Sequence, residues 1–476
     1  MADPAPAGAG RSSAAVPFAG GRAGSAPLTW GQRAIWNAIV RTAPNDVYFN
    51  IARLLPLGDR GRPVGLSRFT AAAAALMARH EALRTRLETA GESPRQVVAD
   101  AGTLDVTVLE EPVPGAGAES ARRLLAALAA RRFDYEREWP LRLGAVCHEG
   151  SVTHAVLVMC HVATDGQGAE QVVRDLLLLV RRGSAGRAPR TTPLDIAVWQ
   201  HGPEGVRRSD RALAGWESFY RAMPPTMFPQ QVAEPLAPRF RRGRLVSGAL
   251  AAATDALAAE HRVSGSTVLM TGLAALAGAA GGHGAAAMTP IVANRTTDDR
   301  RGLVAMLSQD APFLLDLSGG GRFTDLLPTA WRAAMAGYRA GAYDPVAWEA
   351  LRERVGSERG TPVHPYCCYN DQRFVERPPG PRLGPRELRE EQRRSRFGFP
   401  GAEEHLGCRY CVHVTEEEGT PAVTLTADTA YLPPAAIRGH LMALEELLVA
   451  SACGDAPALD ALPGLLAEKT GSATAA

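Results

Sequence analysis

Lysine is almost missing from this chain. Of 52 basic side chains in 476 residues, Lys469 is the single lysine and the rest are arginine. An excess of either charge is missing too: 52 basic against 50 acidic groups leave a net charge of +2. With no cationic surplus to neutralise a phosphate backbone, nucleic acid is not an expected partner. Cysteine is sparse, with seven residues at 147, 160, 367, 368, 408, 411 and 453. An odd, scattered set makes no disulfide framework, and a reducing cytoplasmic setting is expected. No apolar run approaches membrane-spanning length, so no membrane partner is expected. The first 26 residues, mostly Ala, Gly, Ser and Pro, lack the continuous apolar stretch of a signal peptide. There is no Gly-Lys-Ser/Thr phosphate loop and no dinucleotide fingerprint opening a helix, so no bound cofactor is expected.

What is present suits a globular protein: 46% hydrophobic and 21% charged residues, enough to bury one or two large cores. Residues 1–26 read as a flexible tail. A helix is expected from about residue 30, with Thr29 as its N-cap. Further helices are expected over 66–87 and 120–133. The β-branched, apolar stretch 151–159 reads as a buried strand, and an amphipathic helix follows from 168 to 182. Pro- and Gly-containing segments mark 184–243 as a linker and crossover region. Helices near 251–262 and 265–280 follow, then strands near 287–292 and 310–316 and a helix at 322–340. Strands near 365–370, 408–414 and 422–428 and a helix at 434–452 complete the pattern. The Arg-rich stretch 377–396 reads as a solvated surface loop with a charged helical turn. The resulting division is an α/β half over 27–183, a second α/β half over 244–455, and a C-terminal tail over 456–476.

The strand at 151–159 runs into Cys160-His161-Val162-Ala163-Thr164-Asp165-Gly166. A strand ending in His, with Asp four residues later and then Gly, makes a tight polar turn that can aim an imidazole at a cavity. Alone, such a His is more often structural than catalytic. Its surroundings add weight. The segment resembles the core motif of the condensation domains of nonribosomal peptide synthetases, in the chloramphenicol acetyltransferase-like superfamily: two His, three variable residues, Asp and Gly. Residues 27–36 resemble that family's opening motif, and Arg79-His80-Glu81-Ala82-Leu83-Arg84-Thr85-Arg86 is very close to its second. Phe133-Asp134 with Pro140-Leu141-Arg142, Asp195-Ile196-Ala197-Val198-Trp199-Gln200, and Val292-Ala293-Asn294-Arg295 are similar to later motifs, in the family's order. The resemblance implies two tandem acetyltransferase-like α/β sandwich halves forming a V-shaped pseudo-dimer with a tunnel at the interface.

The same resemblance implies roles. His161 stands for the His that faces the active site, and the backbone N–H near Gly166 for an oxyanion donor. Asp165 and Arg295 stand for a buried ion pair tying the two halves, so Asp165 is not a general base. Cys160 replaces the supporting His of the motif and is expected to pack as a small buried hydrophobe rather than act as a nucleophile. The run Met306-Leu307-Ser308-Gln309-Asp310 departs from the family, leaving Ser308, Gln309 and, at a later motif, Asn370 as candidates for substrate binding. Cys408 and Cys411 have the two-residue spacing of a zinc half-site and Cys367-Cys368 is another Cys pair, but side chains at adjacent or odd spacing along a strand diverge, so structural core is expected and no metal. No adenylation-type loop or carrier segment is evident, and a free-standing enzyme is expected. Its donor would be a phosphopantetheine thioester on a peptidyl or acyl carrier protein, and its acceptor a small-molecule amine or alcohol. A coenzyme A-dependent O-acyltransferase and a non-catalytic recruitment module are the alternatives.

Overall fold

A computed structural model describes residues 10–57, 63–374, 380, 382–417 and 419–471. Among the described residues sixteen strands are formed: β1 Gly10–Ala19, β2 Gly24–Pro27, β3 Ile51–Pro56, β4 Thr85–Glu88, β5 Arg95–Val98, β6 Ala101–Glu110, β7 Leu141–His148, β8 Ser151–Met159, β9 Phe240–Val246, β10 Ala285–Val292, β11 Gln309–Asp310, β12 Phe313–Asp316, β13 Cys367–Asp371, β14 Arg396–Glu403, β15 Tyr410–Glu417 and β16 Thr420–Asp428. The helices are α1 Trp30–Thr42, α2 Leu66–Arg79, α3 Gly117–Ala129, α4 Gly166–Arg182, α5 Pro193–His201, α6 Pro203–Ala222, α7 Gly248–His261, α8 Gly265–Gly281, α9 Asp298–Arg301, α10 Leu327–Arg339, α11 Pro345–Glu358, α12 Pro385–Gln392, α13 Pro434–Ala452 and α14 Leu462–Thr470.

Two compact units result. One holds the chain through Val206 together with Ala293–Ser308; the other holds Arg207–Val292 and the chain from Gln309 onward. In the first, five strands pair in the order β1-β6-β7-β8-β3, beside a small β2-β5-β4 sheet. Strand β7 is buried along nearly its whole length and β8 from Ala155 to Met159, as strands at the centre of a sheet covered on both faces must be. Helix α4 lays Val172, Leu176 and Leu179 on this core, residues spaced to fall on one face. Asp165 caps its start, Gly183 in the left-handed conformation ends it, and Arg181 and Arg182 sit in its last turn, where cations favour the helix dipole.

The second unit is built on one larger sheet in the order β11-β10-β13-β15-β16-β9-β14, with β12 pairing β10. The apolar helices α8 and α13 pack on it, and Trp216 and Tyr220 of α6 are wholly buried in its core.

Several expectations are corrected. Residues 10–26 are not a flexible tail: β1 pairs with β6 over ten residue pairs and buries Val16 and Phe18, while residues 1–9 lie outside the described residues. The stretch 184–243 is not a linker, since α5 belongs to the first unit and α6 supplies core to the second. The helix expected over 66–87 stops at Arg79, and the chain turns through a short 3-10 segment into β4. The expected tail 456–476 forms α14 over its described part, burying Leu462 and Leu466. The surface stretch 377–396 contains α12, which buries Leu388 and pairs Arg389 with Glu446; residues 375–379 and 381 lie outside the described residues.

Candidate active site

The site is built where β8 ends. Cys160 donates its backbone N–H to Pro140 O at 3.0 Å, and the chain then turns so that Asp165 can cap α4. His161 sits in that turn, partly buried, with its ring edge-on to Phe49. Burial holds its imidazole below the usual histidine range, partly opposed by nearby backbone carbonyls and the Asp165 charge. Its Nδ1 is buried with no hydrogen-bond partner of normal geometry among the described residues. The ring is therefore neutral at pH 7 and can accept a proton.

Asp165 is fully committed elsewhere. Its Oδ1 accepts from the Gly168 N–H at 2.9 Å. Its Oδ2 accepts from Arg295 Nη1 at 2.7 Å and from the Leu307 and Ser308 N–H groups at 3.0 and 3.1 Å. Arg295 reaches on to the carbonyls of Ala293, Leu303 and Ala305. Both side chains are nearly inaccessible, at 4% and 2% exposure. Four donors thus occupy the two oxygens of this carboxylate. The pair expected to tie the two halves of the sequence forms, but within a single compact unit. Both residues belong to the first unit, where the pair fastens the segment Ala293–Ser308 to the start of α4. That segment turns at Asn294, a left-handed residue (φ 53°) whose Nδ2 donates to Leu307 O at 2.9 Å.

Gly166 opens α4 with ordinary negative φ. Asp165 takes the Gly168 N–H on its side-chain Oδ1 and the Ala169 N–H on its backbone carbonyl, while the Gly166 and Gln167 amides of this helix start have no partner among the described residues. Cys160 packs with Leu28, Ile35, Val158 and Val162, and burial pushes its thiol up to about 12. It borders a small cavity lined also by Gln32, Thr85, Tyr135 and Glu138.

The remaining candidates are dispersed. Ser308 lies in the first unit, its N–H spent on Asp165. Gln309 belongs to the second unit, is buried, and gives its Nε2 to Tyr343 O at 2.9 Å, so that donor is occupied. Asn370 lies partly buried on β13, opposite His413 of β15. Sequence reasoning missed Leu307, whose amide shares the Asp165 carboxylate; a backbone donor leaves no signature in side-chain type.

The expectation that Cys408 and Cys411 diverge is overturned. Cys408 precedes β15 rather than lying on it, so strand alternation does not govern it, and the two sulfurs meet as a disulfide. Cys368 Sγ lies 3.8 Å from Cys408 Sγ.

Known proteins share this plan. A family model described as Condensation domain matches residues 27–365. A protein of Salinispora arenicola named as a probable nonribosomal peptide synthetase is 28% identical over 354 residues, 71% of this chain and only 4% of its own length. The condensation domain of the monacolin K polyketide synthase superposes with a TM-score of 0.70 at 15% identity, covering 92% of this chain and 99% of that one. The starter condensation domain of rhizomide synthetase, a mutant in complex with C8-CoA, gives a TM-score of 0.68 at 16% identity, covering 92% and 96%.

Proposed function

The chain belongs to the condensation-domain family, whose fold is the two-lobed acetyltransferase-like α/β fold and whose members act in nonribosomal peptide and natural-product biosynthesis, and from that premise we propose that it catalyses acyl transfer with His161 as the residue that handles the acceptor's proton. The observation that carries this reading is the contrast between two neighbours. The Asp165 carboxylate is consumed by four donors, while the neutral His161 ring keeps a nitrogen without a hydrogen-bond partner of normal geometry among the described residues.

The donor is an acyl or aminoacyl thioester on phosphopantetheine, carried by a peptidyl or acyl carrier protein. The acceptor is an amine, with an alcohol as the close variant. His161 orients the nucleophile and takes its proton as it attacks the thioester carbonyl. The oxyanion that forms is stabilised by backbone N–H groups at the start of α4, those of Gly166 and Gln167. Cys160 packs in its apolar cluster and forms no acyl bond. Coenzyme A is the second candidate donor, because the rhizomide synthetase neighbour is a complex with C8-CoA.

The test is to offer the purified protein carrier-loaded and coenzyme A-bound acyl thioesters with panels of amines and alcohols, following product mass. Product from the carrier-bound series supports the reading, and product from coenzyme A alone shifts the donor. Binding of a carrier protein without turnover by a folded chain would replace it with a recruitment module.

A further inference from the structure

Within the second unit, three cysteines from two neighbouring segments converge. Cys368 lies on β13, in parallel register with Cys411 of β15, and Cys408 sits three residues before Cys411 in the approach to that strand. Their sulfurs all lie within 4.8 Å of one another, and the side chains are partly or wholly buried. Cys367 and Cys453 stand outside the group.

A disulfide between Cys408 and Cys411 uses two of these sulfurs and leaves the third against it. It closes a loop of only three residues' separation, so it removes little freedom from the unfolded chain. A soft cation uses all three. Thiolates sharing a tetrahedral zinc at about 2.3 Å stand about 3.8 Å apart, and Cys368 and Cys408 are 3.8 Å apart. The two-residue gap between Cys408 and Cys411 is that of a zinc half-site, and the third ligand arrives from the adjoining strand.

The loop between them is held rigidly. Arg409 lies over the rings of Tyr366 and Tyr431, at 4.3 and 4.0 Å, and donates to Phe228 O. We propose that Cys368, Cys408 and Cys411 in their reduced form bind one Zn2+, with the fourth position of the ion left to water or a small ligand. On binding, each thiol gives its proton to solvent as a zinc–sulfur bond forms, and nothing is oxidised or reduced. The ion would clamp β13 to the entry of β15 and lock the strand pair that carries Asn370.

Elemental analysis of the full chain, purified and dialysed under reducing conditions with Zn2+ supplied, tests this. The expectation is about one zinc per chain, falling to near none in Cys368→Ser, Cys408→Ser and Cys411→Ser, with Cys453→Ser unchanged. Co2+ added to the reduced wild type should give thiolate-to-cobalt charge-transfer absorption. Because a variant can fail to fold, the wild type is also alkylated with and without Zn2+, and protection should map to these three cysteines alone. A folded, reduced wild type that takes up neither metal overturns the proposal, as does full zinc stoichiometry in folded Cys368→Ser. So does a Cys408–Cys411 disulfide that persists with Zn2+ present in reducing buffer.

Discussion

At the scale of single residues, the site separates two kinds of polar group, one saturated and one left open. Asp165 is surrounded by donors and the His161 ring is not. His161→Ala should lower turnover by about 10²–10⁴-fold, the usual worth of a positioned proton acceptor, with the melting temperature little changed. Steady-state rates alongside a thermal melt check it; near-normal turnover in a folded variant would remove His161 from the chemistry. Burial lowers its pKa, so the acid limb of the rate profile should lie below the ordinary histidine value of 6.5. Cys160 calls for the opposite outcome. Cys160→Ala should keep much of the activity, and Cys160→Ser should lose more stability than Ala, because a hydroxyl is then buried in an apolar cluster. Intact mass after exposure to donor alone should show no acyl adduct; an acyl shift mapped to Cys160 would make it the nucleophile.

Among the elements, two attachments set the shape of the first unit. The segment Ala293–Ser308 is fixed to α4 through the Asp165–Arg295 pair and the two amides beside it. Removing one partner leaves a buried charge, so Asp165→Ala and Arg295→Ala should each cost about 3–5 kcal/mol. The double variant should lose clearly less than the sum, and additive losses in the denaturation cycle would show that the pair is not coupled. The other attachment is β1, an edge strand whose deletion uncovers the hydrogen-bonding edge of β6 and removes the buried Val16 and Phe18. Burial of each such side chain contributes about 1.5–3 kcal/mol, so a chain lacking Gly10–Ala19 should melt several degrees lower and aggregate readily. An unchanged melting temperature and a monodisperse sample would return this stretch to the role of a tail.

For the molecule as a whole, acid should be the weak side. Burial pushes His413 and His440 down to about 4 and also lowers His80 and His161. An unfolded chain protonates these rings from about pH 6.5, whereas in the native chain His413 and His440 do not until near 4 and His80 and His161 only below the ordinary value, so the unfolded state binds more protons as pH falls below 6.5. Stability should therefore be full above 6.5 and fall as pH drops towards 4. Asp310, pushed up to about 6, and Glu445 act in the other direction but are outnumbered. Melts between pH 7 and 4 check the slope, and a stability maximum near pH 5 would contradict it. The local periodicities of the chain determined β8, α4 and α13 almost residue for residue, because a run buried on both faces or along one stripe writes its pattern into adjacent positions. Motif order likewise determined the family and the Asp165–Arg295 contact. Tertiary structure alone decided the rest. Strand β1, poor in strand-forming residues and exposed along one side, is held by β6, a partner some ninety residues away. The segment Ala293–Ser308 joins the first unit because Arg295 finds its carboxylate there. Cys368 meets Cys408 and Cys411 because two parallel strands happen to be neighbours. Each of these depends on pairing between distant parts of the chain, and a local pattern carries no record of its partner.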